Sequence, residues 1–76
     1  MEYIVSFASC FDGISIGKQF VVKDSLKNAI SLAVKLAKEN GATEPDEDLF
    51  NEINNDMSYV SDDGEWGVFI GIPEND

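Results

Sequence analysis

The chain contains no histidine and no arginine; its five basic residues are all lysine. Without an imidazole, no Ser-His-Asp triad, Cys-His dyad, histidine general base or His-ligated zinc centre can be assembled. The single cysteine, Cys10, cannot form an internal disulfide. It reads as a small, semi-buried residue near a strand end, with no basic neighbour in the sequence to activate its thiol. No apolar run approaches the roughly 20 residues that a membrane-spanning helix needs. Met1–Val5 does not look like a secretory leader, so the expected compartment is the cytoplasm.

What the chain does carry is acid. Fifteen Asp and Glu stand against five Lys, for a formal charge of −10 in 76 residues. That length is one small domain, 1–76. Phosphates would be repelled by such a chain, so direct nucleic-acid binding is disfavoured and a basic partner is favoured.

Hydrophobic periodicity organises the chain. Residues 2–10, EYIVSFASC, read as a strand with Tyr3, Val5 and Phe7 on one face and Ile4 and Ala8 on the other. Asp12-Gly13 is a turn signal, and 14–22, ISIGKQFVV, is the return strand, with Gly17 marking a bulge or bend. An open loop over Phe11–Gly17 with a strand only at 18–22 is the alternative. Residues 25–40 form the clearest helix, with Asp24 or Ser25 as N-cap and Gly41 just past its end. Leu26, Ala29, Ile30, Ala33, Leu36 and Ala37 make its apolar stripe, while Lys35 and Lys38 sit in its last turns, where they suit the negative end.

A short helix is expected within 43–56, with proline and acids at its start and Leu49, Phe50 and Ile53 buried. Strands at 57–60 and 66–72 follow, joined by a turn at 61–65 and ended by Pro73. The expectation is an α+β domain of order ββααββ. Its sheet is four-stranded and mostly antiparallel, built of two hairpins, with the main helix on one face. Leu26, Ile30, Ala33 and Leu36 should meet Val5, Phe7, Phe20 and Phe69, with Trp66 either in the core, its N–H at an edge, or an exposed anchor.

Charge is segregated along the chain. Residues 1–40 hold five lysines and four acids, whereas 41–76 hold eleven acids and no lysine. Solubility alone would tolerate intermixed lysines; a stretch with none costs self-repulsion and points to a selected acidic surface. Leu49, Phe50, Ile53, Tyr59, Trp66, Val68 and Phe69 interleave with the acids, so this half is folded and is not an acidic tail. The candidate partner-binding residues are Glu44, Asp46, Glu47, Asp48, Glu52, Asp56, Asp62, Asp63 and Glu65.

Other chemistries find little support. An EF-hand loop read back from Gly64 would place Tyr59, Ser61 and Asp63 at its first ligand positions and Ile70 at its last; around Gly13 the positions are Ala8, Cys10 and Asp12. Both fail, which leaves only an irregular Asp62, Asp63 and Glu65 arrangement as a metal candidate. The acids fall in wet turns and helix starts, and so short a chain has little room for a cleft, so no enzymatic activity is expected. The glycines form no phosphate-binding loop. No cofactor or metal is called for.

Three features sit together: the brevity of the chain, the helix DSLKNAISLAVKLAKENG beside two hairpins, and the lysine-free stretch from Ala42 to Asp76. In these the chain resembles the small, acidic, phage-encoded inhibitors of bacterial defence, anti-CRISPR proteins especially. The resemblance is one of type, spans the whole chain, and carries over no residue's role. It implies a protein of the host cytosol that mimics nucleic acid, binds a CRISPR effector complex, and blocks DNA binding or nuclease recruitment. The same acidic face would also suit an antitoxin or immunity protein for a basic toxin.

Overall fold

The computed structural model describes residues 2–9 and 15–72. Six elements follow in order: β1 (Tyr3–Ser9), β2 (Ser15–Val22), α1 (Leu26–Glu39), α2 (Asp46–Asp56), β3 (Ser58–Val60) and β4 (Trp66–Gly71). The ββααββ order is the expected one. The four strands form one sheet in the spatial order β2-β1-β4-β3, antiparallel at every pairing. Cys10, the Asp12-Gly13 turn and the segment from Pro73 onward lie outside the described residues.

Period-2 alternation gives the sheet two unlike faces. On the inner face Val5 pairs with Ile70 and Phe7 with Val68, while Phe20 and Val22 of β2 stand opposite Val5 and Tyr3. Tyr59 of β3 stands opposite Val68. Ala29, Ile30, Ala33, Val34, Leu36 and Ala37 of α1 and Leu49 and Ile53 of α2 join Tyr3, Val5, Tyr59, Val68 and Ile70 in one buried cluster. Ile30, Leu49, Ile53, Val5 and Val68 are its largest fully buried side chains, each contributing about 1.5–3 kcal/mol by leaving water.

Phe69 is not part of this core. It is 42% exposed and shares the outer face with Gly67 and Gly71, because β4 turns Trp66, Val68 and Ile70 inward. Its ring lies over Gly67, where an added Cβ would come 3.0 Å from Cζ. Trp66 is half-buried at the edge of the core. It lies 6.0 Å from the Phe7 ring and 5.7 Å from that of Tyr59, within the range of favourable tilted aromatic pairs.

The β1–β2 register slips between Phe7 and Ala8, which pair with Lys18 and Ile16. Gly17 is therefore the extra, bulged residue, as its place in the strand suggested. An added Cβ there would approach Phe7 Cδ1 to 2.7 Å, so the bulge has room only for glycine.

The helix ends are set locally. Ser25, not Asp24, caps α1: its Oγ accepts from the Asn28 amide at 3.2 Å. Asp24 instead accepts from Asn28 Nδ2. At the other end Gly41 takes φ +110°, and the Ala42 amide donates to Ala37 O at 3.0 Å and the Gly41 amide to Lys38 O at 3.2 Å. This 6→1 and 5→2 pair is a Schellman ending. α2 starts after Pro45, with no side-chain cap; Asp46, Glu47 and Asp48 occupy its first turn, where the helix dipole favours negative charge. Asp46 is thus the first helical residue and not the cap. Met57, expected at the start of a strand, ends α2 in the left-handed conformation, φ 58°.

Candidate functional site

The described acids of the second half reach the surface from three places: the α1–α2 connection, α2 itself and the β3–β4 turn. Tyr59 lies where Glu44 of the connection and Asp62 and Asp63 of the turn come together. Its ring is buried against the core, and a phenol hydroxyl in that position needs a partner. The hydroxyl donates to Glu44 Oε2 at 2.6 Å, across 15 residues of sequence. This bond, first, holds the Glu44 carboxyl below its ordinary value. In return it raises the Tyr59 hydroxyl well above its own, assisted by burial and then by the negative charges of Glu44, Asp62 and Glu52. One hydroxyl therefore feels carboxylates from all three segments.

A cavity of about 210 Å3 opens beside it, lined by Glu44, Tyr59, Asp62, Asp63 and Trp66 and by the backbone bend that follows α1. Its wall is acidic with two aromatic rings, a lining that accommodates a cationic side chain. Acids that the sequence separates by eighteen or more positions thus line one depression.

The turn that presents Asp62 and Asp63 is organised by Ser61. The Ser61 amide donates to Trp66 O at 2.9 Å and the Gly64 amide to Ser61 O at 2.9 Å. Gly64 takes the positive φ, +72°. Ser61 Oγ donates to Asp63 Oδ1 at 2.6 Å and accepts from the amides of Glu65 and Trp66. Asp63 Oδ1 also accepts from the Glu65 amide at 3.1 Å. The Ser61 hydroxyl, then this amide, lower the Asp63 carboxyl below its ordinary value. Asp63 is accordingly occupied in holding its own turn.

The nine candidate residues fall into three sets. Glu44, Asp62 and Asp63 line the cavity. Asp48, Glu52 and Asp56 follow one another at four-residue spacing along one flank of α2, the flank from which Glu52 acts on Tyr59. Asp46, Glu47 and Glu65 are exposed and line none of this depression; Glu47 sits about 200° round α2 from the buried Leu49. Asp46 is paired with Lys38 Nζ at 3.2 Å, and the same ammonium donates to Glu44 O at 3.0 Å.

The separation of charge along the sequence is therefore not complete in space. One lysine of α1 reaches into the acidic face and ties the α1–α2 connection down. Its position in the last helical turn was the available signal; the partner was not legible. Among the described residues no group of three or more acids could hold a metal ion, so Asp62, Asp63 and Glu65 form no cation cage. Comparison with protein-family models, with curated proteins and with solved structures finds no match to this chain.

Proposed function

We propose that this chain is a non-enzymatic, acidic binding protein. It would inhibit a basic, nucleic-acid-binding partner in the manner of anti-CRISPR proteins, by occupying the surface that DNA or a nuclease would otherwise use. The observation that carries the reading is that Glu44, bonded to the Tyr59 hydroxyl, lines one depression together with Asp62 and Asp63. Two segments with no lysine of their own, the α1–α2 connection and the β3–β4 turn, place negative charge around one depression. Duplex DNA presents one charge per about 1.7 Å of axis, and carboxylates gathered on a folded surface can offer a lysine-rich groove a comparable field. Association would be electrostatically steered, hence fast and salt-sensitive.

The carboxylates available for such a contact are those with no other task. Glu47, Asp48, Glu52, Asp56, Asp62 and Glu65 qualify, while Asp46 pairs with Lys38, Asp63 holds the turn and Glu44 accepts from Tyr59. The test is biological. Expression of the chain in strains that each carry one active CRISPR system should restore plating of a targeted phage in at least one of them, and Glu52→Lys with Asp62→Lys should abolish the effect. If no strain is affected, the anti-CRISPR reading fails. The second reading, an antitoxin-type module for a basic protein, is favoured by the cavity beside Tyr59 and Trp66, which is of a size for one lysine or arginine side chain.

A further inference from the structure

The depression beside Tyr59 is lined by more than acid. Part of its lining is the chain from Asn40 to Thr43, at the C-terminal end of α1, where the helix dipole is negative. Another part is the turn around Ser61, which contributes both Asp62 and Trp66. Ser61 fixes the two relative to each other. Its amide donates to Trp66 O at 2.9 Å and its Oγ accepts from the Trp66 amide at 3.2 Å.

The two aromatic rings are not equivalent. Tyr59 is 5% exposed and its hydroxyl is bonded to Glu44, so it offers the depression little ring surface. Trp66 is half-buried, its ring tilted 44° from that of Tyr59, and it is the ring that solvent can reach. The carboxylates differ as well. Glu44 accepts from Tyr59, and Asp63 from Ser61 and the Glu65 amide. Asp62 has no hydrogen bond or ion pair among the described residues. No lysine lines the depression; Lys38, the last one before it, is tied to Glu44 O and Asp46.

We infer that this depression receives one arginine side chain of the basic partner, its guanidinium stacked on Trp66 and hydrogen-bonded to Asp62. The inference rests on the reading that the acidic face binds a basic protein, and it names the group that is recognised. Chemistry selects arginine. A guanidinium is planar, stacks on a single aromatic face, and presents in-plane donors that fit one carboxylate bidentately. A lysine ammonium is a point charge without that plane. A methylated ammonium is held by a cage of several rings, and here one ring is accessible. A cavity of about 210 Å3 has room for one such head group, set between a free carboxylate and the negative end of α1.

Trp66 is the single tryptophan, so its fluorescence and its indole N–H signal in NMR report on this depression alone. The probes are Nα-acetyl-arginine amide, the matching lysine and trimethyllysine amides, and free arginine, each added to the full chain at constant ionic strength. The blocked arginine is expected to quench Trp66 and shift its indole signal saturably, with a Kd of about 1–10 mM. The two ammonium probes should bind at least about fivefold more weakly. Asp62→Asn, at an exposed position, should weaken arginine binding by about tenfold. Glu47→Gln on α2 should leave it unchanged, with thermal melts confirming that both variants are folded. Four results would overturn the inference. One is the absence of a saturable response to blocked arginine. Another is an ammonium probe that binds as well, which would mark plain attraction of cations. The third is binding by free arginine alone, which would mark an amino-acid site in place of a partner's side chain. The fourth is folded Asp62→Asn that binds like the parent. These titrations need no partner, so their failure leaves the phage assay standing. A failed phage assay with arginine bound as expected would remove the inhibitor reading alone.

Discussion

At the scale of single residues, the contact between Tyr59 and Glu44 joins the core to the acidic surface. A carboxyl held below its ordinary 4.5 contributes stability that is present above that pH and is lost as pH falls through the lowered value. A hydroxyl raised above its ordinary 10.0 contributes stability that is present below pH 10 and is lost as pH rises beyond it. Tyr59→Phe removes both contributions. The variant should be less stable than the parent at neutral pH, with the difference shrinking in acid and again above pH 10. Urea melts across the pH range read this, and a carboxyl NMR titration should show the Glu44 value rising once the donor is gone. Gly17 offers a second test of residue-level detail. With Phe7 Cδ1 2.7 Å from the nearest possible Cβ, Gly17→Ala must displace the ring or the bulge, and a loss of about 1–3 kcal/mol is expected in equilibrium unfolding.

At the scale of elements, the helix ends show what a sequence makes legible. Gly41 was readable as the terminator of α1 because a positive φ is nearly free for glycine alone. No atom lies within 4 Å of its would-be Cβ, so Gly41→Ala isolates the backbone penalty, expected at about 1–2 kcal/mol in a urea melt. Met57 was not readable in the same way. It takes the left-handed conformation without a glycine's advantage, and its carbonyl accepts from the Ile70 amide at 2.8 Å, so a sheet contact from β4 helps hold it there. Phe69 was misplaced for a related reason. The run WGVFIG alternates cleanly, and the expectation allowed both Trp66 and Phe69 in the core although residues three apart in a strand face opposite sides. Pairing with β1 decides it, by setting Val68 against Phe7 and Ile70 against Val5. Within the acidic site the residue types and their excess were legible. The Glu44–Tyr59 bond, the Lys38–Asp46 pair and the inward use of Asp63 were not, because each depends on how separated segments are brought together.

At the scale of the whole molecule, fifteen acids against five lysines make self-repulsion a global property, and ionic strength of about 0.15 M shortens its range to about 8 Å. The melting temperature is therefore expected to rise between about 10 mM and about 150 mM salt; a fall would show that a few local pairs such as Lys38–Asp46 outweigh the net charge. The central claim is that the face around Tyr59 is a binding site and not merely a solubilising one. It is tested most directly by association kinetics with a basic protein partner captured from cell lysate at low salt. Three chains should be compared: the parent, Glu52→Lys with Asp62→Lys, and Lys27→Glu with Lys35→Glu as a control on α1. The account predicts that the acidic-face reversals slow association and flatten its salt dependence, while the control binds like the parent and all three melt alike. Association unchanged by the acidic-face reversals would contradict it.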